Sequence, residues 1–133
     1  ITPTDAEGDA MDICIGLTVN FATNPEAMLT AADRIVFQVD DGDSNIDCVT
    51  EKDGTATTTD SGVDIASGTA VTLGLHVKST GSVEFFVNRS LVATHTANIP
   101  DDENLALGAM ELSGSATGTK SMNIDYMFAA QDR

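Results

Sequence analysis

The chain has 133 residues, and its 21 Asp and Glu against 6 Lys and Arg give a formal net charge of −15 at pH 7. So acidic a chain repels the phosphate groups of nucleic acids and of anionic lipids, and we expect neither a nucleic-acid nor a membrane partner. The length suits one domain. A hydrophobic fraction of 41% favours a folded core over a disordered acidic chain.

The negative charge is concentrated in the first half of the chain. Residues 1–66 hold 14 acidic and 2 basic residues, whereas residues 67–133 hold 7 and 4. This asymmetry predicts one strongly negative surface or an acidic loop system. The alternative is that the charge serves solubility alone, because like-charged molecules stay apart in solution.

The two cysteines, Cys14 and Cys48, are too few for a disulfide framework. A single bridge between them is one alternative. Free Cys, however, is among the residue types that are most often buried. We therefore expect two buried free thiols.

In chain order, the first predicted element is an N-terminal arm or extended segment over residues 1–12, followed by a β-domain over 13–133. The first strand of this domain has apolar residues at alternate positions, which places them on one face: Ile13, Ile15, Leu17, Val19 and Phe21. One helical turn is predicted at 24–29, with Asn24 as its cap and Pro25 in its first position.

A hairpin is predicted at 35–50, where two strand-like segments flank the turn sequence Asp-Asp-Gly-Asp at 40–43. A Thr-rich strand at 55–59 is expected at a sheet edge or on a solvated face. Alternating residues at 71–96 predict a three-stranded meander, and a further strand is predicted at 105–112.

The last predicted strand has four apolar residues at alternate positions, which we expect to face the core: Met122, Ile124, Tyr126 and Phe128. With it, the chain has about nine short strands separated by turn residues. This pattern predicts an all-β fold built as an antiparallel β-sandwich or barrel.

The segment at 81–95, with the sequence GSVEFFVNRSLVATH, combines two strands with a turn at Asn88 and Arg89. It resembles the hairpin of concanavalin A-like (laminin-G-like) jelly rolls, in which a V-x-F-Y-V-N-G strand turns into x-L-V-A-T. Asn88 tolerates the left-handed conformation of such a turn, whereas Arg89 stands where the family usually has Gly. An Arg at this position favours a wider turn than the family's.

Three further segments are similar to such domains in virion proteins of tailed bacteriophages, namely residues 33–43, 51–55 and 120–133. Together with the hairpin they imply a jelly-roll sandwich of concanavalin A-like type. They also imply a capsid decoration (cement) protein, not an enzyme, which lies on the outer surface of the virion and binds the major capsid protein. The resemblance further implies a homo-oligomer, and trimers are common because they fit local threefold positions of an icosahedral shell.

Phe86, Glu84 and Asn88 lie on the strand face opposite the apolar positions of this hairpin. Because the other Phe residues of the predicted strands fall on apolar faces, these three are our candidate partner-binding residues. The alternative is that Phe86 packs within the second sheet.

The turn within the 35–50 hairpin is the best candidate for a metal site. Five residues over eight positions offer carboxylate and amide oxygens: Asp40, Asp41, Asp43, Asn45 and Asp47. Calcium binds six to eight such oxygens, but turns also attract Asp, Asn and Gly for backbone reasons alone. A calcium loop and a plain turn both stay open, and no other cofactor is expected.

A calcium loop would suit the rival function, a lectin-like carbohydrate-binding module on a virion or cell surface. Catalysis is not expected, because residues 7–12 only approach the paired-carboxylate strand of glucanases, and the chain has no Trp to stack on a sugar ring. His76 and His95 have no nucleophile motif beside them, and we expect both on strand faces.

Overall fold

The computed structural model describes residues 1–4, 11–19, 26–78, 81–113 and 120–130. Within these ranges the chain forms ten strands and one short helix: β1 (Thr2–Thr4), β2 (Met11–Thr18), α1 (Ala27–Thr30), β3 (Arg34–Val39), β4 (Asn45–Lys52), β5 (Thr55–Asp64), β6 (Leu73–Lys78), β7 (Ser82–Val87), β8 (Ser90–His95), β9 (Ala106–Ser113) and β10 (Ser121–Asn123). The strand pairs are antiparallel, which confirms the all-β prediction. No helix in the described ranges is long and apolar enough to cross a membrane.

The strands form two facing sheets and a smaller pair. The back sheet has the order β5-β4-β3-β2-β9, and the front sheet has the order β6-β7-β8. The pair of β1 and β10 continues the front sheet, because β1 bonds to the segment that leads into β6. The amino group of Ile1 donates to the carbonyl oxygen of Val71 at 2.7 Å, and the N–H of Val71 donates to the carbonyl oxygen of Ile1 at 2.8 Å.

The core fills the space between the back and front sheets. Alternate residues of both sheets point into it, and its buried members on β2, β3, β4, β7 and β8 are Met11, Ile13, Ile15, Ile35, Phe37, Val39, Ile46, Cys48, Val83, Phe85, Val87 and Ala93. Phe37 and Phe85 meet edge to face across the two sheets, with ring centroids 5.4 Å apart. Such a pair adds about 0.5–1.5 kcal/mol to the stabilisation from burying the two rings.

The outer face of the back sheet is also covered, because α1 packs on it. Met28 of α1 contacts a second buried cluster, made by Cys14, Val36, Val49 and Met110. Arg34 ties α1 to the sheet, since its Nη1 donates to the carbonyl oxygens of Met28 and Leu29 at 3.2 and 2.6 Å. Its Nε donates to Oε2 of Glu51 at 2.7 Å. The central strands β2 and β3 therefore have buried side chains on both faces.

Cys14 and Cys48 are buried and free, one on each face of the back sheet, which confirms the two predicted thiols. Burial raises the pKa of each thiol to about 12. Both thiols therefore stay protonated near neutral pH. A protonated thiol is not a nucleophile, because nucleophilic attack requires the thiolate.

One side of the sandwich is closed by a buried histidine. The Nδ1 of His95 hydrogen-bonds the hydroxyl of Thr50 on β4 at 2.9 Å, and its Nε2 hydrogen-bonds the hydroxyl of Thr59 on β5 at 3.0 Å. Since the Thr50 hydroxyl donates to the carbonyl oxygen of Ala97, Nδ1 donates to Thr50, and Nε2 of the neutral ring accepts from Thr59. Burial lowers the pKa of His95, so a neutral imidazole joins the two sheets.

The C-terminal end departs from the sequence-based expectation. β10 ends at Asn123, and the side chains of Tyr126 and Phe128 are 75% and 78% exposed, not buried. Ile124 is exposed as well, so the inward face predicted for Ile124, Tyr126 and Phe128 is wrong, whereas Met122 packs against the core. The physical reason is the length of the partner strand: β10 pairs with β1 only opposite Thr2–Thr4, so no neighbouring strand in the described ranges orients the chain beyond Asn123.

Several predicted features lie partly or wholly outside the described residues, among them Phe21, the last apolar residue predicted for the first strand. Of the arm predicted at 1–12, the structure describes β1 beside the front sheet and the first residues of β2. The predicted cap Asn24 and first helical residue Pro25 both lie outside the described ranges, whereas α1 itself begins at Ala27.

Acidification should destabilise the protein through His95. The folded state holds the pKa of His95 below its ordinary value, whereas an unfolded chain takes up the proton at about pH 6.5. The free energy of unfolding should therefore fall as the pH drops below that value and passes through the folded-state pKa. Urea unfolding at several pH values measures this loss. His95→Gln should show a smaller loss than the wild type, and equal pH dependence in the two proteins would contradict the assignment.

Candidate functional site

The turn between β3 and β4 uses its carboxylates to hold its own backbone. The N–H of Asp43 donates to the carbonyl oxygen of Asp40 at 2.9 Å, and Oδ1 of Asp43 accepts the N–H of Asn45 at 3.0 Å. The N–H of Asp41 donates to Oδ1 of Asp12, on β2, at 2.8 Å. These are contacts of a tight turn, in which Asp side chains satisfy nearby backbone N–H groups.

Asp47, the last of the five predicted calcium ligands, lies on β4 opposite Asp60 of β5. Partial burial raises the pKa of Asp47, and repulsion by Asp60, Asp40 and Asp43 raises it further. Carboxylates that face each other across two strands destabilise the pairing. Within the described ranges, no group of three or more His, Cys, Asp or Glu side chains is arranged to hold a metal ion.

The outer face of the front sheet carries a group of charges around Glu84. His76 and Glu84 lie opposite each other on β6 and β7, and Nδ1 of His76 is 3.3 Å from Oε2 of Glu84. Lys78 donates to the other carboxylate oxygen. The hydrogen bond from Lys78, and then the one from His76, lowers the pKa of Glu84. Glu84 therefore stays charged, and its charge is compensated locally.

Phe86 lies beside these charges on the same face. It is opposite Gly74 of β6 and Leu91 of β8, and Leu91 is 54% exposed. Phe86 does not pack between the sheets, because Phe85 takes the inward position and is fully buried. This outer surface is here called the hairpin face, and it consists of His76, Lys78, Glu84, Phe86 and Leu91.

Asn88, the third candidate partner-binding residue, lies at the tip of the β7–β8 hairpin. Its side-chain oxygen accepts the N–H of Thr72 at 3.1 Å, so it anchors the turn to the residue before β6. The turn has two residues, Asn88 and Arg89, with φ of 52° and 69°. The wider turn expected from Arg89 is therefore wrong. The twist of the two strands requires positive φ at both positions, and Arg89 adopts it although it is not a glycine.

Sequence reasoning missed an open groove of about 1550 Å³ between β6 and β9, on the side of the sandwich away from His95. Side chains from both sheets line it, among them Ile15, Leu17, Ile35, Leu73, Leu75 and Leu107. Residues 124–130 also line it. The only sequence signal for this groove was the apolar alternation at 124–128. Alternation predicts a strand, but it does not show whether another strand pairs with it.

No protein-family model, curated protein or solved structure matches the chain. Its function is therefore argued from its own residues.

Replacing Asp60 with Asn should stabilise the protein, because the variant removes the charge that faces Asp47 and keeps the oxygen that accepts the N–H of Gly62. We expect a gain of about 0.2–1 kcal/mol in the free energy of unfolding at low salt. The gain should shrink at high salt, where the repulsion is already screened. Urea unfolding followed by circular dichroism measures both. The matched control is Asp64→Asn, on the same strand but opposite Asn45; an equal gain there would mean that net charge, not this pair, is responsible.

Proposed function

We propose that this chain is a non-enzymatic structural protein of a tailed-bacteriophage virion, with a body of the concanavalin A-like jelly-roll type. In this role it decorates the outer surface of the capsid and stabilises it by binding the major capsid protein. The observation that carries the proposal is the β7–β8 hairpin. Its sequence resembles that family, and its outer face presents half-buried Phe86 and exposed Leu91 among compensated charges.

The hairpin face has the composition of a protein-docking surface. Half-buried Phe86 and exposed Leu91 supply an apolar centre, and the contacts of Glu84 with Lys78 and His76 supply a polar rim. Protein interfaces combine an apolar, often aromatic, centre with such a rim. Because the rim charges compensate one another, a partner can cover this face without burying an unpaired charge.

The net charge of the chain supports the same role. Acidic residues outnumber basic ones by fifteen, and most of the excess lies in residues 1–66. Such a surface is attracted to a basic patch on a capsid subunit and repelled by packaged DNA. The acidic surface would thus orient the protein, and the hairpin face would make the contact.

Virions that lack this chain should be more fragile than intact virions when heated or exposed to osmotic shock, measured as surviving infectivity. Purified chain added back should restore the resistance. Phe86→Ser should restore it poorly, since truncating an aromatic residue at an interface centre weakens binding by more than about 1 kcal/mol, or about fivefold. Thr58→Ala, an exposed change on β5, is the matched control and should restore it fully. Unchanged fragility in the absence of the chain would contradict the proposal.

A second candidate function is a calcium-dependent, lectin-like carbohydrate-binding module. The observation in its favour is the repulsion that Asp40 and Asp43 exert on Asp47, which a bound divalent cation would relieve. Phe86 is the aromatic ring that the hairpin face offers for a sugar to stack on.

For this second candidate we expect heat in a calorimetric titration with calcium, a higher melting temperature, and calcium-dependent hits on a glycan array. Asp47→Asn should abolish the calcium response, because it removes one charged oxygen ligand. Asp53→Asn, in the next turn along the chain, is the matched control and should keep the response. The absence of both heat and a melting shift in the wild type would exclude the calcium-dependent module and leave a plain turn.

A further inference from the structure

Most of the large exposed apolar side chains line the groove between β6 and β9. Of the six large apolar side chains that are exposed in the described ranges, five line it: Val77, Ile124, Tyr126, Met127 and Phe128. The sixth, Leu91, belongs to the hairpin face. A contiguous exposed apolar surface of this kind marks an interaction site.

The groove also presents a strand edge. Val71 directs its N–H and carbonyl oxygen to Ile1, whereas the carbonyl oxygen of Thr72 accepts the N–H of Asn88 on the opposite edge. Successive residues of a strand direct their backbone groups to alternate edges, so the next residues to point toward the Ile1 side are Leu73, Leu75 and Val77. In the sheets that the structure describes, no strand pairs with this edge of β6. It is therefore a template on which another strand can be added.

Residues 124–130 line the groove without joining this edge. β10 and the segment 68–71 lie on the two sides of β1 and bond to it, so the chain that continues from β10 starts one strand position away from β6. Its apolar residues alternate as a strand requires, with Ile124, Tyr126 and Phe128 on one face. The chain thus carries both an apolar strand sequence and an uncovered apolar edge of similar length.

The charge of the groove favours a second copy of this chain as the occupant. The charged Lys, Asp and Glu side chains that line the groove are only Lys78, Glu103 and Asp125, on a chain of net charge −15. Two copies repel each other over their acidic surfaces and least strongly here. A basic partner, by contrast, gains little attraction from this groove.

We propose that the groove is an interface between copies of this chain, in which residues 124–130 of each copy fill the groove of its neighbour. Ile124, Tyr126 and Phe128 enter the apolar groove, and their backbone pairs with the free edge of β6. When the exchange is reciprocal it closes on itself, and both apolar surfaces are buried. This interface does not depend on the proposed virion function, because it concerns the purified chain alone.

Size-exclusion chromatography with light scattering tests the assembly. We expect a mass that is a multiple of the 13.8 kDa chain, and tighter association at high salt, where the repulsion between acidic copies is screened. The double variant Tyr126→Ser, Phe128→Ser should weaken association by about tenfold or more. Its circular dichroism spectrum should stay unchanged, because both side chains are exposed in the single chain.

Leu91→Ser is the matched control, because it removes an exposed apolar side chain from the hairpin face and not from the groove. It should associate like the wild type. A wild-type protein that is monomeric at every salt and protein concentration would overturn the proposal, and so would an equal loss of association in Leu91→Ser.

Two variants, each with one added cysteine, distinguish two arrangements of residues 124–130: exchange between copies, and closure over the groove of the same molecule. Val77→Cys and Tyr126→Cys are made in separate chains and mixed under oxidising conditions, where the native thiols Cys14 and Cys48 are buried and do not compete. Exchange predicts disulfide-linked pairs that contain one chain of each kind. If mixing gives no such pairs, and a chain carrying both changes forms only an internal bridge, residues 124–130 close over their own groove and the proposal is wrong.

Discussion

The contact of His95 with the back sheet is the interaction on which the rest of the structure depends. Both ring nitrogens are satisfied by threonine hydroxyls of β4 and β5, and Nδ2 of Asn98 donates to Oγ1 of Thr57 at 3.0 Å beside them. An unsatisfied buried polar group costs about 1–3 kcal/mol, so these bonds specify how β8 meets the back sheet. With that side closed, β6 and β9 are the edges that border the open groove.

The negative charge is used differently on different surfaces. In the turn between β3 and β4, Asp side chains hold backbone N–H groups, and at Asp47 they repel one another. On the hairpin face, Glu84 is compensated by Lys78 and His76. The groove carries little charge of either sign. Repulsion therefore keeps the acidic surfaces apart from other anions. The hairpin face and the groove, which are nearly neutral, stay available for contact.

Local patterns predicted local structure wherever adjacent residues decide it. The alternation at 71–96 corresponds to the meander β6, β7 and β8, and the Asp-rich turn lies between β3 and β4 as expected. The same patterns could not specify Gly16, where a Cβ would lie 2.3 Å from the carbonyl oxygen of Ile35 on the neighbouring strand. They also left open whether Phe86 faces a partner or the second sheet, because alternation assigns a face but not what covers it.

By itself, the sequence determined the all-β class, the strand periodicity, the net charge and the apolar alternation at 124–128, since each depends on residue order alone. Only the tertiary structure decided that His95 joins the two sheets, that Tyr126 and Phe128 are exposed, and that a groove lies between β6 and β9. The reason is that these features depend on which strands become neighbours. Thr50 and His95 are 45 residues apart in the chain, and a contact over that distance leaves no periodic signal in the residues around either partner.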